Sequence, residues 1–280
     1  MDFSIFLSLF FAIAVNLIAF YQKFYSIPKV ERAPIVLSFK QLIGSFAIYL
    51  ILSLVIAPLL LKRLITQFQI KQEQILLVSS LQSVTLSCIF LLLCLYWIVQ
   101  DVPTFKRIWK NGPCTSSSLF TDLGLGALCW FLSFPVVAVV NHFSDLIVTW
   151  IFGKNHYEQA AVRFVKMSMG SPLSIFMALI SVIILAPVIE EFLFRGLLQN
   201  YFKCHLGRKT AIFLSSVFFA IFHLSANQGV GNLSLAISLL ILGGFLGFIY
   251  ERQASLFASI SLHMTFNGIS AFRIFFYPES

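Results

Sequence analysis

Long, continuous apolar runs constrain the fold of this chain more than any other feature. Eight such stretches can be marked, at residues 3–21, 42–61, 75–99, 118–140, 173–202, 210–228, 233–250 and 254–277. Most are close to the roughly 20 residues that a helix needs to cross a bilayer. The strands of a closed barrel would alternate apolar and polar residues instead. The sequence therefore predicts an all-α fold, a polytopic integral membrane bundle of about 8 transmembrane helices.

The composition supports this class and argues against a nucleic-acid-binding protein. Hydrophobic residues make up 59% of the 280 residues and charged residues 11%, whereas a soluble domain is about 45–50% apolar and about a quarter charged. The net charge of +8 comes mostly from Lys and Arg between the apolar runs. There they set topology and meet anionic headgroups. Because no basic stripe is interleaved with aromatic residues, we expect a lipid bilayer and no nucleic acid as partner.

The basic residues also indicate an orientation, since cytoplasmic loops carry an excess of Lys and Arg. Their distribution favours an N-terminus outside, and we expect a bacterial inner membrane protein. Three regions are predicted: four membrane helices over 1–140, a loop over 141–172 that can carry an interfacial helix, and a core of four helices over 173–277. The interfacial helix is suggested by NHFSDLIVTWIF, which is amphipathic in part.

Ionisable side chains at membrane depth are candidates for function, because each costs a few kcal/mol to bury there. They and their polar neighbours fall into three clusters on separate predicted helices. The clusters are Glu190, Glu191 and Arg195; Phe219 and His223; and His263 and Asn267.

Helical spacing separates the roles of the two glutamates. Glu191 and Arg195 are four residues apart, so they share a face and can pair. Glu190 is rotated by about 100° from Glu191, which leaves its carboxylate to point elsewhere. Pro187 removes a helical hydrogen bond and clashes with the carbonyl group of Ile183, so a kink is expected just before the glutamates.

The clusters are also predicted to lie at similar depth. At 1.5 Å per residue, Glu190 and His223 lie about 20 and 21 Å from the two ends of the polar turn 203–209. His263 and Asn267, one helical turn apart on a later helix, reach a comparable depth. Four polar groups from three helices are therefore expected to converge inside the bilayer.

Such a group of side chains could activate water. A carboxylate and an imidazole can take a proton from water, and a second imidazole with an amide can donate to a developing oxyanion. This would give a peptide hydrolase without a Ser or Cys nucleophile. Two His and a Glu could instead hold zinc, although the H-E-x-x-H spacing of zinc proteases is absent.

Each cluster alone has a plainer interpretation. Glu191 and Arg195 could be a structural ion pair, and His223 could be a helix-packing histidine. His263 and Asn267 could be interhelical hydrogen-bonding groups. Their occurrence together, in order and at matched depth, favours the catalytic interpretation.

The three motifs resemble those of a known family. The sequence reads EEFLFR at 190–195, FAIFH at 219–223 and HMTFN at 263–267. The patterns E-E-x-x-x-R, F-x-x-x-H and H-x-x-x-N, in this order, resemble the CPBP family of CAAX-prenyl-protease and bacteriocin-processing proteins, also called Abi. The resemblance covers about residues 173–270.

This resemblance implies an all-helical catalytic core around a conical cavity. It implies that Glu190 and His223 activate water and that His263 and Asn267 stabilise the oxyanion. The remaining motif residues would have supporting roles. These are Glu191, Arg195 and Phe219.

We therefore expect an intramembrane endopeptidase of the glutamate type that cleaves a membrane-associated protein or peptide. No metal and no cofactor are expected, with zinc as the alternative. The alternative function is a non-proteolytic membrane scaffold or a bacteriocin-immunity-type protein. A proton-coupled transporter is a third interpretation, but such proteins often contain internal repeats, and none is evident. The sequence identifies neither the substrate nor whether it is prenylated.

Overall fold

The computed structural model describes residues 3–27, 34–68, 74–111, 118–153, 159–225 and 228–276. Within these ranges the chain forms helices and no strands, apart from an isolated bridge between Lys110 and Ser255. The predicted all-α class is therefore confirmed.

The helices are numbered in chain order, and π-helical segments interrupt two of the long ones. The α-helices are α1 (Phe3–Tyr21), α2 (Phe39–Leu50), α3 (Ala57–Phe68), α4 (Gln74–Gln100), α5 (Val102–Trp109), α6 (Leu119–Phe152), α7 (Ala160–Ser168), α8 (Pro172–Leu179), α9 (Ala186–Glu191), α10 (Asn200–Leu206), α11 (Arg208–Phe222), α12 (Gly231–Gln253) and α13 (Leu256–Phe276). The π-helical segments are π1 (Ile51–Ile56), π2 (Ile180–Leu185) and π3 (Phe192–Gln199).

Several helices are long and apolar enough to cross a membrane, so this is an integral membrane protein. Among the described residues there are five, at Phe39–Gln67, Ile75–Gln100, Leu119–Phe152, Pro172–Leu206 and Gly231–Gln253. Ile5–Tyr21 is a shorter apolar helix. The predicted number of about eight is thus approximate. The predicted span 210–228 differs most, because α11 has only 15 residues, fewer than the roughly 20 that a span needs.

The first part of the loop predicted over 141–172 is helical. Residues 141–152, which contain the predicted interfacial helix, continue α6, and Gly153 follows the last residue of that helix. The φ angle of Gly153 is +81°, a conformation that residues with a Cβ atom rarely adopt and that commonly ends helices. The helix α7 follows as a separate element. The division of the chain into three regions and the orientation in the membrane stay predictions.

The segment that carries the first motif is deeply buried. Every residue of π3 is buried, whereas the Phe and Leu side chains of α1 are largely exposed on the surface that would face lipid. Around this central segment α12 packs against α6 and α11, and α13 packs against α6, α9 and α12. The motif residues therefore lie where the α9–π3 segment, α11, α12 and α13 pack together.

The contact between α6 and α13 requires a glycine. A Cβ atom on Gly126 would collide with the carbonyl oxygen of Ala258 and lie 2.9 Å from Cβ of Ser261. Because backbone can yield only by moving the helices apart, we expect Gly126→Ala to lower the free energy of unfolding by about 1–3 kcal/mol. Thermal unfolding in detergent micelles measures this loss.

Gly124, on the same helix, provides a matched control. A Cβ atom there meets nothing within 4 Å. Since alanine is favoured over glycine in a helix by up to about 1 kcal/mol, Gly124→Ala is expected to leave stability unchanged or raise it. Equal losses in both variants would contradict the proposed close approach.

Candidate active site

Pro187 determines how the first motif is joined to the third. The backbone N–H of Ala186 donates to the carbonyl group of Ser181, five residues earlier. In this π-helical register the next carbonyl, of Val182, would pair with the nitrogen of Pro187, which carries no hydrogen. Val182 instead accepts a hydrogen bond of 2.9 Å from Nδ2 of Asn267. The disruption predicted at Pro187 therefore creates an acceptor that holds α13 against π2.

Glu191 joins the first motif to the third motif from the buried side. Its Oε1 atom accepts from NH1 of Arg195 at 3.0 Å and from Nδ1 of His263 at 2.9 Å. The second terminal nitrogen of the Arg195 guanidinium group, NH2, donates to the carbonyl group of Gly243 at 3.2 Å. The pairing of Glu191 with Arg195 predicted from helical spacing is confirmed, and both side chains are fully buried.

Glu190 points away from this pair, towards both histidines. Its Oε2 atom lies 3.3 Å from Nε2 of His223 and 3.8 Å from Nε2 of His263. The side chain of His223 is 25% exposed and that of Glu190 is 12% exposed, so solvent can reach the pair. Glu190, whose carboxylate was predicted to point away from the Glu191–Arg195 pair, is thus the glutamate beside the two imidazoles.

The hydrogen-bond partners assign the tautomers of both imidazoles. Nδ1 of His223 lies 2.7 Å from the carbonyl oxygen of Phe219, which can only accept. Nδ1 of His263 likewise faces the Glu191 carboxylate. Both Nδ1 atoms therefore carry hydrogen, and the Nε2 atom of each ring, which has a lone pair whenever the ring is neutral, faces Glu190. A proton at this point can be shared among three basic atoms.

Phe219 is the packing centre of the site. Its fully buried ring has the Arg195 guanidinium 4.4 Å from its centroid. The His223 and His263 rings lie 4.5 and 5.7 Å from it, centroid to centroid. The predicted supporting residues Glu191, Arg195 and Phe219 thus surround the side chains predicted to do the chemistry.

The end of α11 determines where His223 lies. This residue follows the last residue of the helix, with φ −93° and ψ −5°, in a region of backbone conformation that many active-site residues adopt. It was predicted inside a span. Its position after the helix end allows the ring to turn back, so that Nδ1 reaches the carbonyl group of Phe219 four residues earlier.

A cavity of about 450 Å³ opens onto this cluster. Glu190, His223, His263 and Asn267 all line it. Among the described residues, no group of three or more His, Cys, Asp and Glu side chains is arranged to hold a metal ion. The arrangement can bind water or a polar group next to a carboxylate and two imidazoles.

The comparison with protein families assigns the segment that holds this cluster. Residues 172–269 match the family model described as Type II CAAX prenyl endopeptidase Rce1-like. We refer to these residues, which are similar to that family, as the Rce1-like domain. The match includes all three motifs and agrees with the predicted CPBP resemblance. It indicates a membrane protease of the CAAX type. No curated protein and no solved structure matches the chain.

Residues outside the Rce1-like domain also line its cavity. They come from α4, from α7 and the residue before it, and from the part of α13 beyond residue 269, and include Gln82, Val165 and Ala271. Within the domain, Gln228 lines the cavity as well. Sequence reasoning missed these residues, because none of them belongs to a motif. The only hint for Gln228 was its place in the uncharged turn SANQGVGN, directly after the second motif.

Proposed function

We propose that this protein is an intramembrane endopeptidase that hydrolyses a peptide bond with water activated by Glu190 and His223. The observation that carries the proposal is the approach of Oε2 of Glu190 to within 3.3 Å of Nε2 of His223, in a cavity lined by both residues. A carboxylate and an imidazole at this separation can accept the proton of one water molecule. The substrate would be a membrane-associated protein or peptide.

The first step would add water to the scissile carbonyl group. As the water oxygen bonds to the carbonyl carbon, its proton passes to the Glu190–His223 pair and the carbonyl oxygen becomes an oxyanion. The same proton is then donated to the leaving nitrogen, and the C–N bond breaks to give a carboxylic acid and an amine and to restore the Glu190–His223 pair. Burial makes each electrostatic contribution larger than it would be in water.

The oxyanion would be held by His263 and Asn267. Because Nδ1 of His263 donates to Glu191, its Nε2 atom can donate to the oxyanion only when that nitrogen also carries a proton. Nδ2 of Asn267 has two hydrogens. One donates to Val182, which leaves the second for the oxyanion. Glu191 and Arg195 would therefore act by positioning and charge.

We also propose that the reaction requires no metal ion, since the carboxylate–imidazole pair can itself take the proton from water. Zinc held by Glu190, His223 and His263 is the alternative. The purified protein would be reconstituted in lipid vesicles and given internally quenched peptides, with and without a farnesylated CAAX terminus. The family description makes the farnesylated peptide the first probe.

We expect cleavage at a rate that a strong chelator does not change. A loss of at least tenfold on chelation, restored by added zinc, would establish the metal alternative. If no peptide is cleaved and the Glu190→Gln variant retains the biological activity of the wild type, the protein is a scaffold or immunity-type protein.

A further inference from the structure

Gln228 lies buried in the wall of the candidate active-site cavity, and its side chain has no hydrogen-bond partner among the described residues. It is 4% exposed and lines the cavity together with Glu190, His223 and His263. Neither Oε1 nor Nε2 has a partner in the part of the chain that the structure describes. Burying an amide without hydrogen bonds costs about 1–3 kcal/mol. A ligand in the cavity that satisfies both atoms would remove this cost.

The loop that carries Gln228 is held in place by another amide side chain. Oδ1 of Asn232 accepts from the backbone N–H of Ser225 at 3.1 Å, and Nδ2 of Asn232 donates to the carbonyl group of Ser225 at 2.7 Å. The backbone N–H of Gln228 donates to the same carbonyl group at 3.0 Å. Gln228 is thus anchored by its backbone, five residues after the second-motif histidine, while its side chain takes no part in these contacts.

The chemistry of a carboxamide specifies what it can bind. It offers an acceptor and two donors with no net charge, which matches the backbone N–H and C=O groups of one residue in an extended chain. Asn232 makes this same bidentate pairing with the backbone of Ser225. A charged ligand would be poorly matched by a neutral amide.

We infer that Gln228 is a substrate-binding residue that forms hydrogen bonds with the backbone N–H and C=O groups of one substrate residue near the scissile bond. This inference rests on the proposed function, because the cavity must hold a polypeptide. Binding through backbone atoms fixes the position of the substrate without reading its side chains. It would place the scissile carbonyl group beside Glu190 and His223.

The test combines a side-chain variant with modified substrates. Gln228→Met keeps the approximate volume of the side chain and removes both polar atoms. On a quenched peptide that the wild type cleaves, we expect this variant to lower kcat/KM about tenfold, chiefly through KM. Its thermal midpoint should equal or exceed that of the wild type, because an unpaired buried amide is lost.

Substrates with one backbone amide at a time replaced by an ester identify the partner. We expect one ester to lower kcat/KM for the wild type by several-fold and to cause no further loss for Gln228→Met. Gln253→Met is the matched control. Gln253 is buried and its Nε2 atom also has no partner within the described ranges, but it does not line the cavity. This control should cleave all substrates as the wild type does.

The outcomes separate this inference from the proposed function. If the wild type cleaves none of the peptides, or if Glu190→Gln cleaves as well as the wild type, the proposed function fails and the inference fails with it. If Glu190→Gln is inactive and Gln228→Met matches the wild type on every substrate, the inference alone is overturned. A lower thermal midpoint for Gln228→Met with unchanged KM also overturns it, because Gln228 would then be structural.

Discussion

We expect the Glu190→Gln variant to lose peptide cleavage, with kcat/KM lowered by about 10²–10⁴-fold relative to the wild type. Glutamine retains the shape of the side chain but cannot take a proton from water. Its amide nitrogen can donate to the Nε2 lone pairs of His223 and His263, which now face Oε2 of Glu190. The fold should therefore be preserved. Rates in lipid vesicles and the thermal midpoint in detergent measure the two effects separately.

A control for this variant is Asp101→Asn, which also removes one carboxylate. Asp101 caps α5 by accepting from the backbone N–H of Thr104 at 3.0 Å, and asparagine caps helices about equally well. It lies outside the cavity. We expect unchanged cleavage. Similar losses in both variants would show that the effect of Glu190→Gln does not come from the site.

The second large effect concerns stability. We expect Arg195→Met to lower the free energy of unfolding by about 3–5 kcal/mol, because it leaves a buried carboxylate without its cationic partner. Arg195 donates to Glu191 at 3.0 Å with both side chains fully buried. It also lies over the ring of Phe219 and donates to the carbonyl group of Gly243. Thermal and denaturant unfolding in detergent would record the loss.

A double variant separates charge from packing in this prediction. Glu191→Gln removes the uncompensated charge, so Glu191→Gln with Arg195→Met should recover about 2 kcal/mol or more of the loss from Arg195→Met alone. If the loss of stability in the double variant equals the sum of the losses in Glu191→Gln and Arg195→Met, the ion pair contributes little. Arg195 would then stabilise the fold mainly through its contacts with Phe219 and Gly243.

Much of the site could be predicted because helical geometry is regular. The four-residue spacing of Glu191 and Arg195 specified their ion pair, which the structure contains. The rotation between adjacent residues specified that Glu190 would point elsewhere, and it points towards His223. Pro187 was expected to break the hydrogen-bond ladder, since its ring lacks an N–H in any context.

The features that could not be predicted depend on contacts between distant segments. Nothing local specifies the π-helical register before Pro187, and therefore the hydrogen bond from Asn267 to Val182 was not foreseen. The end of α11 before His223 was missed because the apolar run continues past it. Gln228 was missed because burial of a loop amide depends on how helices pack around it, which a single sequence does not show.

The central claim is that Glu190 and His223 act together on one water molecule. The most direct test is to measure kcat/KM for the wild type, Glu190→Gln, His223→Ala and the double variant, in the same vesicles and on the same peptide. Residues that act as a unit are strongly non-additive. The account predicts that each single variant is nearly as inactive as the double variant. A double variant whose loss equals the product of the two single losses would contradict it, as would full activity in either single variant.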